Sequence, residues 1–515
     1  MVVNSDGPET RVAIVEGGQL REVYIERKRE RGLLGNVYKG RVQRVLPGMQ
    51  AAFVDIGVGK SAFLYVAEVR TDHDDWKPAF LEEVDADDGA ETPSPRKGGK
   101  APRIEDLLKE GQEVVVQITK DPIGTKGARS TTYVSIPGRQ LVYMPTVAHI
   151  GVSRRISSDK ERKRLRELLE KLRPDDGGLI VRTVADGATE EDLRADRDYL
   201  VKRWSETVKK AEKAKAPALL FVDLDLLLRM VRDQLTEELD RVIIDNDGDF
   251  QRVRKFVREI APGLEHKVER YAGSDPIFDG YGIELEINRS LERKVWLKSG
   301  GYLIFDQAEA ATIIDVNTGK FVGSKDLEET LTKTNLEAAG EIAEQLRLRN
   351  IGGIIIVDFI DMEKESSRRK VTQAFEECLA DDKSRTSVTG ISSLGLVEMS
   401  RKRTRESLGR ILTEPCAYCG GKGYHKSAAT VAAEILRQLR REGDAFPQET
   451  IVVLAHGDVA HQLSGEDRVW VEALEKRLQK SIVVRARGSF HLEKFEIQGG
   501  TAAHEDAAKA EPVKA

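Results

Sequence analysis

Two aspartates, Asp315 and Asp358, each directly follow a short apolar run, and two carboxylates placed in this way could bind a metal ion together. The runs occupy residues 311–314 and 354–357 and are rich in β-branched residues, which is typical of strands buried on both faces. Residues 327–346, between the two runs, carry apolar residues at helical spacing. The sequence therefore predicts a strand–helix–strand crossover whose two strands are parallel neighbours.

The carboxylates of Asp315 and Asp358 are expected at the same end of this sheet, where open α/β sheets bind their ligands. Neighbouring strands lie about 4.8 Å apart, so both carboxylates would reach one hard cation. With no His or Cys nearby, oxygen ligands favour Mg²⁺, with Mn²⁺ as the alternative. Asn317, two residues beyond Asp315, would point the same way and orient a carboxylate or contact a phosphate. Aspartates at strand ends also cap helices and turns, but a pair that closes both arms of one crossover favours the metal.

Composition limits the class of protein. The chain has 515 residues, which implies several domains. A net charge of −5 does not by itself indicate a nucleic-acid binder, but charged residues make up 33% of the chain, so local patches carry more information. Three cysteines form no disulfide framework and indicate a reducing compartment. Because no signal peptide or membrane-spanning run is evident, we expect a cytoplasmic protein with no membrane contact.

Residues 35–69 alternate apolar and polar side chains between glycines, which is typical of a small antiparallel barrel. The barrel pattern resumes at residues 110–136, after a segment at 71–103 that is predicted to be a flexible insertion. Rings that stack bases and cations that follow a phosphate backbone together favour single-stranded nucleic acid. For Tyr38, a place in the core is an equal alternative. The rings are Tyr38, Phe53, Phe63 and Tyr65, and the cations are Lys39, Arg41, Arg44, Lys60, Lys120, Lys126 and Arg129.

A second phosphate-binding pattern lies in the middle of the chain. Arg182 and Thr183 directly follow the apolar run at residues 179–181, in a block whose composition predicts an α/β unit. A guanidinium beside a hydroxyl binds phosphate well, since the planar fork can donate two hydrogen bonds. On the residues alone, the same pair is more often a routine surface Arg and Thr.

Cys416 and Cys419 form a CxxC motif followed by Gly-Gly-Lys-Gly. Such glycines let backbone amides turn towards thiolates, as in zinc knuckles, yet two thiolates supply only half of a tetrahedral set. His425 is a candidate third ligand, and Cys378 is predicted to be a buried apolar residue inside a helix. The economical completion is a second copy of the chain. A redox CxxC is the competing interpretation, weakened because no helix start follows the motif.

Several long stretches, taken in order, resemble the RNase E/G family of endoribonucleases. They are GNVYKGRVQRVLPGMQAAFVDIG, DPIGTKGARSTTYVSIPGR, SGGYLIFDQAEA with IIDVNTG, LRLRNIGGIIIVDFIDM, and GLVEMSRKRTRESL with CAYCGGKG. The resemblance runs from about Glu9 to about Gly499. Because the chain ends soon after the last predicted domain, it resembles the ribonuclease G branch, and we expect no long scaffold tail for partner proteins.

The resemblance implies a multidomain α/β fold in which an OB-fold barrel is inserted into an RNase-H-like domain. The implied segments are an RNase-H-like domain at 1–31 and 228–290, an OB-fold RNA-binding barrel at 32–132, a 5′-phosphate sensor domain at 133–227, a deoxyribonuclease-I-like catalytic domain at 291–412, a zinc link at 413–427, a small α/β oligomerisation domain at 428–499 and a disordered tail at 500–515.

The resemblance also implies a Mg²⁺-dependent, single-strand-specific endoribonuclease that leaves 5′-phosphate products. Its substrates would be ribosomal RNA precursors, at their 5′ ends, and mRNA undergoing decay. The implied site residues are Asp315, Asp358 and Asn317 for catalysis, with Asp315 and Asp358 holding the metal; Phe53, Phe63 and Lys126 for RNA binding; and Arg182 and Thr183 for the RNA 5′-monophosphate, assisted by the backbone of Val142 and by Arg154 and Arg385.

The family further implies a structural Zn²⁺ shared between two chains, with Cys416 and Cys419 from each, in a homodimer or homotetramer. The rival interpretation is a non-catalytic RNA-binding or cytoskeletal assembly protein built on the barrel and the zinc link. Since a pure binder does not need a pair of aspartates at strand ends, the pair favours the enzyme.

Overall fold

The computed structural model describes residues 1–5, 7–29, 31–70, 102–122, 127–156, 158–174, 176–319, 327–380, 382–392 and 395–500. The chain forms two compact units, Met1–Ile411 and Leu412–Ala515. Among the helices of the described residues, none combines the length and the apolar character that crossing a bilayer requires.

The secondary-structure elements are numbered here in chain order. The strands are β1 Val2–Asn4, β2 Glu9–Glu16, β3 Gln19–Arg27, β4 Val37–Leu46, β5 Ala51–Asp55, β6 Ala62–Tyr65, β7 Glu113–Lys120, β8 Arg129–Thr131, β9 Ile136–Pro137, β10 Leu141–Met144, β11 Ile150–Val152, β12 Gly178–Val181, β13 Ala218–Phe221, β14 Val242–Ile244, β15 Val268–Arg270, β16 Lys294–Trp296, β17 Tyr302–Gln307, β18 Ala311–Asn317, β19 Gly353–Asp358, β20 Thr386–Ile391, β21 Leu396–Arg401, β22 Thr450–Ala455, β23 Ser481–Ala486 and β24 Phe495–Gly499. The helices are α1 Ile104–Leu107, α2 Asp159–Leu172, α3 Glu190–Lys213, α4 Leu226–Gln234, α5 Asp247–Ile260, α6 Ile277–Gly280, α7 Ile283–Ser290, α8 Leu327–Leu348, α9 Glu365–Leu379, α10 Leu408–Leu412, α11 Ala428–Glu442, α12 Gly457–Ser464 and α13 Arg468–Leu478.

The first sheet has the order β15-β14-β1-β2-β3 and joins segments that are far apart in sequence. Strands β2 and β3 form a hairpin, and Gly17 and Gly18 at its tip have φ of +58° and +78°, which favours glycine. Strand β1 pairs in parallel with β14, with Val2 opposite Ile243. The N-terminal residues are therefore held by strands that follow the barrel and the middle sheet in sequence.

Strands β4, β5, β6, β8 and β7 close into a five-stranded barrel, because β7 pairs with β4 as well as with β8. Strand β13 adds to the outside of β4. Tyr38 is only 3% exposed, so the core alternative for this ring is correct. Gly40 lies where β4 crosses β5 closely, and a Cβ there would meet Val54 Cγ1 at 2.4 Å and Asp55 O at 2.9 Å. This glycine is required because the barrel wall leaves no space for a side chain.

The middle sheet, of order β11-β12-β10-β9, packs against α2 and α3 and matches the predicted α/β block. All four residues of β12 are buried, as the apolar run predicts. Helix α3 starts with a capping box in which Thr189 and Asp192 each accept a hydrogen bond from the other's backbone N–H. The strand that leads to Arg182 and Thr183 is thus fixed within a packed core.

The six-stranded sheet has the order β16-β17-β18-β19-β21-β20 and contains the predicted crossover, since β18 and β19 are parallel and α8 connects them. Helix α8 ends in a left-handed residue: Asn350 has φ of +48°, and the Ile351 N–H donates to Leu346 O at 3.1 Å.

The prediction that both strands are buried on both faces is wrong. Ile314 and Val357 are buried against α8 and α9, whereas Ile313 and Ile354 on the opposite face are 47% and 57% exposed. The reason is that both helices pack into the same cluster on one side of the sheet. The other side remains open, and it is the side on which Asp315 and Asp358 lie.

The prediction that Cys378 is buried is also wrong. Cys378 does lie in α9, but it is exposed. The buried stripe of α9 consists of Val371, Phe375 and Leu379, four residues apart, and Cys378 lies beside that stripe rather than in it.

The second unit, described up to Gly500, is a small α/β structure. Strand β22 pairs in parallel with β23 and antiparallel with β24. Helices α11, α12 and α13 cover the sheet, and their apolar residues share one core with Ile451 and Val453.

Candidate active site and phosphate-binding residues

Asp315, Asp358 and Asn317 lie together on the open face of the six-stranded sheet. Asp315 is the direct cross-strand partner of Asp358 in the parallel pair β18–β19. Both carboxylates are exposed, and Asn317 Nδ2 donates to Asp315 Oδ2 at 2.7 Å. The structure therefore brings the three predicted residues into one group, with Asn317 orienting the first carboxylate.

The electrostatics of this group favour a cation. Burial raises the pKa of Asp358, and the neighbouring carboxylates of Asp315 and Asp361 raise it further. Across the described ranges, no cluster of three or more His, Cys, Asp or Glu is arranged to hold a metal ion. Asp315 and Asp358 would thus supply two oxygen ligands. This set fits Mg²⁺, which keeps several waters when it binds proteins.

A buried asparagine fixes the segment that follows Asp358. Asn335, on α8, has no exposed surface, and its side chain both donates to Ile360 O at 2.8 Å and accepts from Ile360 N at 3.1 Å. Glu328, also on α8, accepts from the backbone N–H groups of Glu363 and Lys364 at 3.1 Å each. These contacts hold the loop beyond β19 against the crossover helix and so position Asp358.

Arg182 and Thr183 lie at the end of β12, with side chains that the fold has already oriented. Arg182 Nη1 donates to Gly138 O at 2.7 Å and to Asp233 Oδ1 at 2.7 Å. The hydroxyls of Thr183 and Ser153 are 2.9 Å apart. Within the described part of the chain, the hydrogen bonds of this guanidinium all involve Nη1, so none of them uses Nη2 or Nε.

Asp233 is shared between two guanidinium groups. Arg232 donates to both of its carboxylate oxygens, at 2.9 and 3.0 Å, and Arg182 donates to one of them. Burial opposes ionisation of Asp233, but the two guanidiniums outweigh burial, so its pKa is lowered. Two guanidiniums thus face the Asp233 carboxylate, and a second carboxylate, that of the buried Asp196, also interacts with Arg182.

The assisting residues are distributed over two sheets. Val142 is half-buried on β10, opposite Ile180 of β12. Arg154 is exposed and follows β11, the strand on the other side of β12. Arg385 lies immediately before β20 in the six-stranded sheet. It is two residues from Lys383, whose Nζ donates to Gln234 Oε1 at 2.7 Å, next to Asp233.

Phe53 and Phe63 form a ring pair on the outer surface of the barrel. They are direct partners on β5 and β6, with ring centroids 5.9 Å apart and planes at 69°. Arg44 pairs with Phe53, and Arg129 pairs with Phe63, so a row across four strands has a cation at each end. Such a row suits base stacking flanked by phosphate contacts. Lys126, the third predicted residue, lies outside the described residues.

Cys416 and Cys419 lie in a turn of the second unit. The Gly423 N–H donates to Cys419 Sγ at 3.3 Å, and backbone N–H groups of Cys419 and Tyr418 lower the pKa of the Cys416 thiol. Both effects favour thiolates, which are the form that binds Zn²⁺. No third ligand joins the two cysteines in the described segments, His425 included.

Comparison with known proteins assigns the chain to a family. Residues 135–404 match the model of the Ribonuclease E/G family, and residues 415–500 match that of the RNase E/G, Thioredoxin-like domain. Two curated proteins named Ribonuclease G, from Salmonella typhimurium (strain SL1344) and Escherichia coli (strain K12), are each 44% identical over 497 residues, which cover 96% of this chain and 99% of the relative. This chain belongs to the ribonuclease E/G family. Ribonuclease E of Escherichia coli (strain K12) is 36% identical over 481 residues, covering 93% of this chain and 44% of that protein.

The resemblance inferred from the motifs is therefore confirmed. The segment that matches the ribonuclease E/G family contains the carboxylate pair, Asn317 and the Arg182–Thr183 pair. The two cysteines fall within the segment that matches the family's thioredoxin-like domain.

Sequence reasoning missed the residues that hold Arg182 in place, Asp233 and Gly138. The contact with Asp233 spans 51 residues, and that with Gly138 spans 44. The one local signal was the charged Arg232–Asp233 pair in helix α4, five of whose nine residues are apolar. This signal indicates an interaction but does not identify its partner.

Proposed function

We propose that this member of the ribonuclease E/G family is a Mg²⁺-dependent, single-strand-specific endoribonuclease that senses a 5′-monophosphate and leaves 5′-phosphate products. Ribonuclease activity follows from family membership. The metal dependence is supported by one observation above the others, the direct pairing of Asp315 and Asp358 at the ends of parallel strands. The substrates we propose are single-stranded segments of ribosomal RNA precursors and of mRNA.

In the proposed active site, Asp315 and Asp358 hold Mg²⁺, with Mn²⁺ as an alternative. When bound, the ion supplies charge for the scissile phosphate and lowers the pKa of a coordinated water. Asn317 keeps Asp315 in one orientation through its 2.7 Å hydrogen bond. Asn335 and Glu328 keep the Asp358 segment in register with the crossover helix. Both supports restrict the carboxylates before substrate arrives, which lowers the entropy lost on binding.

The proposed 5′-monophosphate site uses Arg182 and Thr183. Because Asp233 and Gly138 already anchor Nη1, the guanidinium loses little rotamer freedom when it binds a phosphate. The guanidiniums of Arg182 and Arg232 attract a dianion. A 5′-hydroxyl offers neither the charge nor the acceptor oxygens, so the site would discriminate between the two RNA ends. Val142, Arg154 and Arg385 are proposed as assisting residues.

The barrel and the cysteines complete the proposal. Phe53, Phe63 and Lys126 bind single-stranded RNA, with Arg44 and Arg129 beside the rings. Cys416 and Cys419 contribute half of a Zn²⁺ site that a second chain completes, in a homodimer or homotetramer. Two thiolates in one turn, with no third ligand in the described residues, support sharing over a local site.

The experiment compares two copies of one oligoribonucleotide, one with a 5′-monophosphate and one with a 5′-hydroxyl, in Mg²⁺ and in EDTA. We expect cleavage in Mg²⁺ alone, faster on the phosphorylated copy, with a 5′-phosphate on the downstream fragment. Binding to both copies without cleavage in Mg²⁺ would instead support the non-catalytic RNA-binding protein.

A further inference from the structure

A cluster of one lysine and two aromatic side chains lies at the edge of the six-stranded sheet, and no role described above uses it. Lys294 Nζ lies 3.8 Å from the ring centroid of Trp296 and 3.7 Å from that of Tyr302. The two ring centroids are 5.5 Å apart, with planes at 65°. Trp296 is nevertheless 62% exposed, so much of its ring is available to a ligand.

Strand register places this cluster on the same face as the carboxylates. Trp296 is the cross-strand partner of Tyr302, and Tyr302 is the partner of Asn317. Asn317 in turn bonds Asp315. With strands about 4.8 Å apart, Trp296 stands about 10 Å from Asn317. Asp315 lies two residues further along β18, about 12 Å from Trp296 at about 3.3 Å per residue. Because a stacked strand advances about 3.4 Å per nucleotide, and an unstacked one more, the distance to Asp315 corresponds to about four nucleotides or fewer.

Lys294 forms no ion pair with the residues that the structure describes. Its nearest acidic neighbour on β17, Asp306, is bonded by Arg293 through both carboxylate oxygens. In the described part of the chain, no carboxylate lies within ion-pair distance of Lys294, whose contacts are with the two rings. The ammonium is thus held in place by aromatic faces while it retains a full positive charge.

A purely structural role does not account for the cluster. The core on the other face of the sheet is filled by Leu297 and Leu303, with Val295 packed against it, and does not require Trp296. An edge strand is protected from unwanted pairing by a lysine alone. An exposed indole adds an apolar surface, which is a cost in water unless something binds it.

We propose that Lys294, Trp296 and Tyr302 form a nucleotide subsite beside the catalytic carboxylates. A base within about four nucleotides of the cut stacks on the free face of Trp296, and Lys294 contacts the adjoining phosphate. Tyr302 supports the indole and fixes the ammonium. This inference rests on the proposed ribonuclease function. It gives the six-stranded sheet its own RNA-binding surface, in addition to the one proposed for the barrel. Any of the four RNA bases can occupy the subsite, since every base presents a π face for stacking.

The first test measures binding without cleavage, through tryptophan fluorescence in EDTA. The probe is a single-stranded oligoribonucleotide with a 5′-monophosphate. Stacking on Trp296 quenches its emission, so wild type should be quenched, and Trp296→Phe should lose that part of the signal. Trp470→Phe is the matched control, because Trp470 is 60% exposed but belongs to α13 of the second unit and is not part of the six-stranded sheet. Equal quenching in Trp296→Phe and wild type would overturn the subsite.

The second test measures cleavage with oligoribonucleotides that lack one base at successive positions around the cut. Removing a stacked base weakens binding by roughly 5- to 100-fold, so Trp296→Ala should raise KM on the intact oligonucleotide by a factor in that range. When the missing base is the one that stacks on Trp296, the kcat/KM of wild type should fall by the same factor. The kcat/KM of Trp296→Ala should be the same for this abasic substrate as for the intact one. Trp296→Phe should have a KM much closer to that of wild type than Trp296→Ala has, since phenylalanine keeps an aromatic ring on which a base can stack.

The two proposals fail in distinguishable ways. Cleavage by wild type together with an unchanged KM in Trp296→Ala would remove the subsite and leave the ribonuclease function intact. Absence of cleavage by wild type in Mg²⁺ would remove the proposed function, and the fluorescence result would still decide whether RNA stacks on Trp296.

Discussion

Asp315 and Asp358 face each other directly across two parallel strands, on the face of the sheet opposite to the one against which the described helices α8 and α9 pack. Parallel pairing is what brings both strand ends to one edge, and the open face gives an extended substrate access to both carboxylates. The site is therefore suited to a long polymer rather than to a small molecule enclosed in a cavity.

Removal of the Asn317 amide should slow catalysis more than it weakens RNA binding. Asn317→Ala deletes the 2.7 Å hydrogen bond to Asp315, and hydrogen bonds to charged groups contribute about 1.5–3 kcal/mol. We therefore expect kcat to fall roughly 10- to 100-fold at saturating Mg²⁺, with a small change in KM. Steady-state kinetics provide the check, and an unchanged kcat would show that Asp315 needs no such support.

Arg182→Ala should flatten the preference for 5′-monophosphorylated RNA by about 10- to 100-fold while activity on long substrates persists. Asp233→Asn is the informative companion, because it keeps Arg182 but weakens its anchor at 2.7 Å. We expect a smaller loss of preference in that variant. The measurement is the ratio of kcat/KM for matched 5′-phosphorylated and 5′-hydroxylated oligoribonucleotides. If Arg182→Ala kept the wild-type ratio, the phosphate would be recognised elsewhere.

The pH dependence of this ratio should follow the substrate rather than Asp233. A lowered pKa keeps Asp233 ionised, and its pair with Arg182 intact, as the pH falls through the usual Asp range; the pair is lost only below the folded-state pKa. The 5′-phosphate takes up a second proton with a pKa of about 6. As the pH is lowered, the preference for 5′-monophosphorylated RNA should therefore decrease with a midpoint near pH 6. Asp233→Asn should reduce this preference at every pH but leave the midpoint where it is. A midpoint in the ordinary Asp range would contradict this assignment.

Much of the site was predictable from sequence because its determinants are local. Two β-branched runs, each ending in Asp, with a helical pattern between them, specify a parallel crossover and hence the Asp315–Asp358 pair. The open face was not predictable, since a continuous apolar run does not show whether helices cover one side or both. In this fold α8 and α9 share one side, which leaves Ile313 and Ile354 exposed.

Contacts between distant segments account for the other differences. Asp233 reaches Arg182 from a helix 51 residues away, and no local pattern links the two. The sequence around Trp296 does not show which face of the sheet the side chain occupies; its pairing with Tyr302, and that of Tyr302 with Asn317, place it on the face of the carboxylates. Cys378 is exposed because α9 packs against the sheet through Val371, Phe375 and Leu379. Cys378 is the neighbour of Leu379 in sequence but lies outside this buried stripe.

Zinc content and oligomer mass should change together. Since two thiolates cannot close a tetrahedral site, we expect one Zn²⁺ per two chains, and Cys416→Ser or Cys419→Ser should lower both zinc and mass. Cys378→Ser is the control and should change neither. Metal analysis alongside light scattering measures both quantities. One zinc per chain in a monomer would indicate a local site instead of a shared one.

The most direct test of the account is cleavage of a 5′-monophosphorylated oligoribonucleotide across a Mg²⁺ titration by wild type, Asp315→Asn and Asp358→Asn, with RNA binding measured in parallel. Each substitution removes one formal charge and preserves side-chain shape. We predict that both variants bind RNA nearly as wild type does but do not cleave it, while the control Asp361→Asn, three residues beyond Asp358, retains most activity. Wild-type turnover by either Asp315→Asn or Asp358→Asn at saturating Mg²⁺ would contradict the assignment of these carboxylates as the metal site.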